Sequence, residues 1–597
     1  MNTRTNACQA GNSLISIVFL LTASCILGGS PAATGQEARH ITPPLSPDLP
    51  SDVNVEALRS LSDTPDKPRP PFTIPDENIA QANRLFDVFA WQSFLALNWP
   101  AQADGQADTN KTLADAATPR VWEYYVDSAQ VYQPDGAAPT TWEAAVSQNV
   151  AGHTFWMSGM GIGKPAEMNA NGNSEQGSIR RPLLDESLQA FTGPLIDQAG
   201  NWVRYEEVLN NVEFDYLTAN HLYNLEGQAA FLSTNEISFP ANHNEHDHGA
   251  MEVKLAWKQM EDRDDPSRFL TRVATAVRLD GTMATNLYGV VGMHIAVRTQ
   301  SSPTWIWATF EQVDNTAVND LEKDSKGRPL HPSFYNPNNP TKPINQLAPK
   351  NAGGVRQYNP ATGQDDGPVV NTTWDEAITT DPTQATQVTP VPKATDALNH
   401  EVQAVLAGIG SVFQYYELIG TQWPAEPSKP AFPNGVSAQA DGRLLPASPE
   451  SILNKVPGHI VPLYLINTTM ETFFQNNNQA AGPLAEDDRL PPGLVADPAV
   501  VFSTESCAGC HFSAGACLGF KRDANGRFLV TTRVTPDATN NYLVPIFGEN
   551  AVRGANGNAD YSWLMQLRAQ SAPYFGTNVT QLTNVLVVNN QILCPAK

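Results

Sequence analysis

The chain has 597 residues, 41% of them hydrophobic and 16% charged, and its 61 acidic against 37 basic side chains give a net charge of -24. That acidity excludes nucleic acid as a partner, because a phosphate backbone calls for a basic surface. The low charged fraction, with 40 Gly and 47 Pro, points to a loop-rich globular protein and not a helical bundle, long enough for two or three domains.

The first segment, Met1 to Ser13, is polar with a single positive side chain, Arg4, and Leu14 to Ala23 (LISIVFLLTA) is an apolar run. The run is too short to span a bilayer and has the length of a signal-peptide core. Leu21-Thr22-Ala23-Ser24-Cys25 follows the pattern of a bacterial lipobox, which would lipidate Cys25; the alternative is ordinary cleavage near Ser30 to Ala33. Residues 1–24 are therefore predicted as a signal peptide and 25–76, rich in Pro, Ser and Asp, as an extended tether. Both readings export the chain to the periplasm, and the lipid reading anchors it to a membrane surface. No later stretch is apolar for long enough to cross a membrane.

Residues 77–423 read as a large antiparallel β-rich domain with peripheral helices. Phe86, Phe89, Ala90, Phe94 and Leu97 recur at helical spacing until Pro100 ends the pattern, predicting a core helix over 77–97. Met251, Val253, Leu255 and Trp257 alternate with Glu252, Lys254 and Ala256, as in a half-buried strand. Tyr288 to Thr299 and Thr304 to Val313 flank the turn residues 300–303 and predict an antiparallel hairpin. Its first strand should place Val291, Met293, Ile295 and Val297 on one face and Tyr288, His294 and Arg298 on the other, beside Trp305, Trp307 and Glu311. A second polar group, His243, His246 and His248 with Glu245, Asp247 and Glu252, is a candidate metal site; its competing reading is a solvated loop before a strand.

Residues 314–395 are Asn- and Pro-rich and read as surface loops. Leu398, Val402, Val405, Leu406, Ile409, Val412 and Phe413 predict an amphipathic helix within 396–423. The Pro-rich connection 424–447 then marks a boundary before a small, mainly α segment, 448–597. Within it, 521–532 (KRDANGRFLVTT) reads as a hairpin and 560–570 (DYSWLMQLRAQ) as a closing helix.

This last segment carries the most specific motif: Cys507-Ala508-Gly509-Cys510-His511. Cys-x-x-Cys-His is the attachment signature of c-type haem, two thioethers tethering one edge of the macrocycle while the adjacent imidazole reaches the iron. With 6 Cys and 11 His in the chain, chance supplies roughly 0.001 such motifs. A zinc ribbon needs a second ligand pair, and a thioredoxin-like motif needs a βαβ setting; neither surrounds these residues. Met565 is the candidate for the iron's opposite face, with Met470 the alternative and a histidine ligand left open. If Cys8 leaves with the leader, Cys25 takes lipid and Cys507 and Cys510 take haem, then Cys517 and Cys594 remain as an even pair, read as a disulfide against two unpaired thiols.

The motif, the leader and the closing helix resemble a bacterial cytochrome c. The stretches GVVGMHIAVRT, TWIWATFEQVDN and NTTMETFF are similar to those of large periplasmic single-haem members of the cytochrome c family, over about half of the chain and without an established activity. The resemblance implies one haem c, with Cys507 and Cys510 as thioether sites and His511 as proximal ligand. The chain departs from the family in lacking a clear methionine loop after the motif. The expectation is an α+β periplasmic cytochrome that passes single electrons to a redox partner protein. A haem-containing oxidoreductase (oxidase, dehydrogenase or peroxidase) with its site in the large domain or at an open iron, and a haem-based sensor or scaffold, are the alternatives.

Overall fold

One antiparallel sheet organises the protein, and its two faces carry different side chains. In the computed structural model, most of 43–150, 193–429 and 457–475 is described, with short stretches within 156–158, 436–446, 506–530, 559–569 and 586–593. The leader, Cys25, His246, Cys517 and Cys594 lie outside the described residues. From Ile41 onward the chain is one compact unit. Among the described residues no helix is long and apolar enough to cross a membrane.

Among the described residues the sheet has nine strands: β1 (Val126–Asp127), β2 (Trp156–Ser158), β3 (Arg204–Leu209), β4 (Met251–Gln259), β5 (Thr271–Val277), β6 (Met283–Val297), β7 (Ile306–Gln312), β8 (Tyr416–Pro424) and β9 (Ile460–Val461). Its main path runs β1-β3-β4-β6-β7-β8-β9; β5 pairs with the first half of β6, and β2 joins β5 as the parallel exception. The predicted β4 and the β6–β7 hairpin are present, the latter with His294 opposite Thr309. A bulge in β6 at Val291 falls opposite the Ala256–Trp257 step of β4, with Ala256 facing Gly292 and Trp257 facing Val290. Inserting a residue exchanges faces. Val291 therefore packs with Phe334 and Met470, while Met293, Ile295 and Val297 stay together in the main core, a correction to the simple alternation expected.

The apolar face is covered by α2 (Ile79–Leu97) and α3 (Lys393–Gly408), after the short α1 (Val55–Leu61). Phe94 stacks on Phe310 at 4.2 Å, Trp91 meets the same ring edge-on at 5.0 Å, and Phe86 stacks on Trp423 at 4.3 Å. Asn399 ties the helices to the sheet: its Oδ1 accepts from the Trp91 indole (3.0 Å) and from Leu418 N (3.1 Å), while its Nδ2 donates to Leu418 O (2.8 Å). The predicted helix over 396–423 ends early, at Gly408, because Gly410 turns the chain with φ +70. The chain then enters β8, whose alternation YELIGTQW is that of a strand.

The predicted tether is also corrected in its second half. Val53, Leu58, Phe72 and Ile74 are buried in the core, and Ile74 N donates to Ala425 O at 2.8 Å. Pro and Asp dominate the composition there, but these four widely spaced apolar side chains fasten it as a strap. The predicted domain boundary at 424–447 separates less than expected, since β9 joins the large sheet beyond it. In 448–597 the described regular structure is largely β: strands 520–522, 528–530, 586–588 and 591–593 form a small antiparallel sheet, including the expected hairpin, and the described α-helical residues are the short helix at the motif and 564–565, within the predicted closing helix.

Asp87, on α2, is wholly buried and accepts hydrogen bonds from the Thr395 (2.7 Å) and Thr421 hydroxyls. Burial raises its carboxyl from 3.8 to about 6, against the lowering effect of those two hydroxyls. The folded state thus holds the proton more tightly than the unfolded chain, so the stabilisation is complete below about pH 4 and is lost as pH rises through about 6. Asp87→Asn removes this dependence. Relative to that variant, the wild type should lose about 3 kcal/mol between pH 4 and pH 7 in denaturant melts.

Candidate functional site

The second face of the sheet is polar, and the Cys-x-x-Cys-His motif lies on it. Residues Cys507–His511 form a short helix, α4, whose N-cap Ser506 accepts from Gly509 N at 3.1 Å. Gln422 of β8 holds its first turn, its Oε1 accepting from Ala508 N at 2.7 Å and from the Ser506 hydroxyl at 3.2 Å. Helical spacing i, i+3, i+4 sets Cys507, Cys510 and His511 on one side of α4. No disulfide joins the two thiols. Burial, then the nearby Glu471, pushes the Cys507 thiol well above its ordinary range. A thiol held protonated is poorly suited to a thiolate-dependent redox or zinc role.

The His511 imidazole is oriented by its backbone partner: Nδ1 donates to Tyr561 O at 2.7 Å. Burial pushes this imidazole down to about 4, so it is neutral at pH 7, with Nδ1 carrying the proton and Nε2 left as the lone-pair nitrogen. Ligand histidines are ordinarily held this way, by a carbonyl or carboxylate on the nitrogen that does not bind the metal. The carbonyl comes from a strained turn, since Asp560 (φ 46) and Tyr561 (φ 75) both occupy the left-handed region. Asp560 is anchored there, accepting from Phe239 N at 2.7 Å and facing Arg298 Nε at 3.7 Å. Trp307 lies against the His511 ring, centroids 4.3 Å apart, and Trp563 stands 6.4 Å away.

Beside α4, residues 465–475 lie directly on the sheet. Cys507 Sγ is 3.6 Å from Leu465 O. Asn467 Nδ2 donates to the Thr309 hydroxyl and to Phe310 O (2.8 and 2.9 Å), Thr468 N donates to Glu311 Oε1 (2.6 Å), and Tyr205 Oη donates to Thr469 O (2.7 Å). Gly292 permits this approach: a Cβ there would sit 2.1 Å from Thr469 Oγ1.

Under these two segments runs one cross-strand row, Glu207, Lys254, His294, Thr309 and Gly420, each opposite the next on β3, β4, β6, β7 and β8. Lys254 Nζ pairs with Glu207 Oε1 at 2.9 Å. His294 Nε2 is buried without a hydrogen bond and lies 3.6 Å from Glu471 Oε1. Burial, followed by the charges of Lys254 and His511, pushes His294 down to about 3; burial raises Glu471 to about 8 and Glu311 to about 7. Lys254, His294, Glu471, Cys507, Cys510 and His511 are each half-buried.

No known protein family, curated protein or solved structure matches this chain.

The other predicted site residues are dispersed. Met565 is wholly buried in the apolar cluster that holds Ala508, Trp307 and Tyr561 and against which Cys507 and Cys510 pack. Met470 is buried in a different cluster, with Tyr205 and Phe334. In the histidine loop, Asp247 Oδ1 accepts from His243 N and Asn244 N, both at 2.8 Å, and so folds its own turn. His248 is half-buried, with burial lowering its pKa and its Nδ1 without a hydrogen bond. Among the described residues no group of three His, Cys, Asp or Glu side chains is arranged to hold a metal ion. The Tyr561 carbonyl and Glu471 were not identifiable beforehand, because each acts through a contact between segments distant in the chain.

Proposed function

We propose that the protein is an exported c-type cytochrome that carries one haem on Cys507 and Cys510 and transfers single electrons to a redox partner protein. The observation that carries this reading is the joint placement on α4: two cysteines and an imidazole share one side, and the Tyr561 carbonyl fixes the imidazole with Nε2 as its available nitrogen. Bound there, haem supplies reversible one-electron chemistry. The chain's part is to hold it. Gln422 and Ser506 fix the helix, Tyr561 fixes the His511 ring, and Trp307 and Trp563 stand beside that ring. The net charge of -24 favours a basic partner, which it would steer by long-range attraction. The lipobox-like Cys25 supports attachment to a membrane surface, with the body in the periplasm.

A potentiometric titration of the haem-loaded full chain tests this function. A single reversible one-electron wave, with no optical change on adding peroxide to the oxidised protein, is the expected result. A spectrum that reacts with peroxide would favour the oxidoreductase alternative.

A further inference from the structure

Building on the haem reading above, we propose that the second iron ligand is His294, presented by strand β6 of the large sheet, and not a methionine. The row that carries His294 leaves it as the uncommitted polar side chain. Lys254 is paired with Glu207 at 2.9 Å, Thr309 accepts from Asn467 at 2.8 Å, and Gly420 has no side chain. His294 Nε2 is buried yet makes no hydrogen bond, while the side chain as a whole keeps 20% of its surface open. A buried nitrogen of this kind is costly unless it has a partner.

Glu471 Oε1, at 3.6 Å, is the nearest candidate for that partner, and the distance exceeds a hydrogen bond. His294 also lies where α4 is seated: Trp307, which touches the His511 ring, is the diagonal neighbour of His294 on the same sheet face, because Trp307 is opposite Ala296 and Thr309 opposite His294. Met565, by contrast, already fills an apolar cluster. A ligand borne by the sheet makes the large domain part of the redox centre and gives it a lower reduction potential than a histidine–methionine pair.

The test is optical and electron-paramagnetic spectroscopy of the haem-loaded full chain, wild type against His294→Ala, His294→Met and Met565→Leu, with covalent haem assayed in each. The wild type should be low-spin without the methionine band near about 695 nm. His294→Ala should become high-spin, bind carbon monoxide and recover its low-spin spectrum with added imidazole. His294→Met should gain the methionine band and a higher potential, and Met565→Leu should change neither. Retention of the low-spin spectrum in both His294 variants, or loss of a wild-type methionine band in Met565→Leu, would overturn the proposal. A wild type without covalent haem would instead remove the cytochrome reading beneath it.

Discussion

Replacing Cys507 and Cys510 together by serine should abolish covalent haem: the purified double variant is expected to retain none after acidic extraction, against one per chain in the wild type. The single variants should each retain a haem on one thioether, at lower yield. The reason is local. Both cysteines sit on one side of α4, and nothing else in 506–512 supplies a sulfur. Fold loss does not explain such a result, because residues 507 and 510 are half-buried and serine is close to cysteine in size. Far-ultraviolet circular dichroism of the double variant should match that of the wild type, since the sheet and α2 are formed by residues outside α4.

Trp307→Ala is the second large effect. The indole is nearly buried, donates from Nε1 to Thr304 O at 2.8 Å, and lies between Trp305 (6.2 Å), the His511 ring (4.3 Å) and Tyr561 (6.3 Å). Truncation opens a large cavity between the sheet and α4, which in comparable cores costs about 3–5 kcal/mol. It also removes the surface against which the His511 imidazole rests. Denaturant melts should show that loss, and the haem-loaded variant should have a broadened or heterogeneous low-spin spectrum. Trp307→Phe, which keeps an aromatic face, should recover most of both. An Ala variant as stable as the wild type would mean that α4 does not rest on this ring.

Much of the architecture was legible because it depends on local pattern. The 77–97 stripe became α2 with bounds shifted by two residues at its start, and the alternation of Met251 to Trp257 and of the 288–313 pair became the centre of the sheet. The failures share a physical cause. A helix pattern read through Phe413 crossed Gly408 and Gly410, where the chain leaves the helix and re-enters the sheet. The strap at 53–74 and the seating of 465–475 are set by contacts across hundreds of residues, which periodicity does not encode. Of the candidate site, Cys507, Cys510 and His511 were visible as a motif, and His294 and Trp307 as members of a polar strand face. What joins them is the return of α4 and the 465–475 segment onto that face, permitted by Gly292, and a tertiary approach of this kind leaves no signature beyond a glycine in a strand.

The most direct measurement is peptide mapping by mass spectrometry of the full chain, expressed with a c-type haem maturation system. A haem adduct is expected on the proteolytic fragment containing Cys507 and Cys510, at one per chain, with no adduct on any other cysteine. Unmodified Cys507 and Cys510, under conditions in which a control cytochrome is fully loaded, would contradict it.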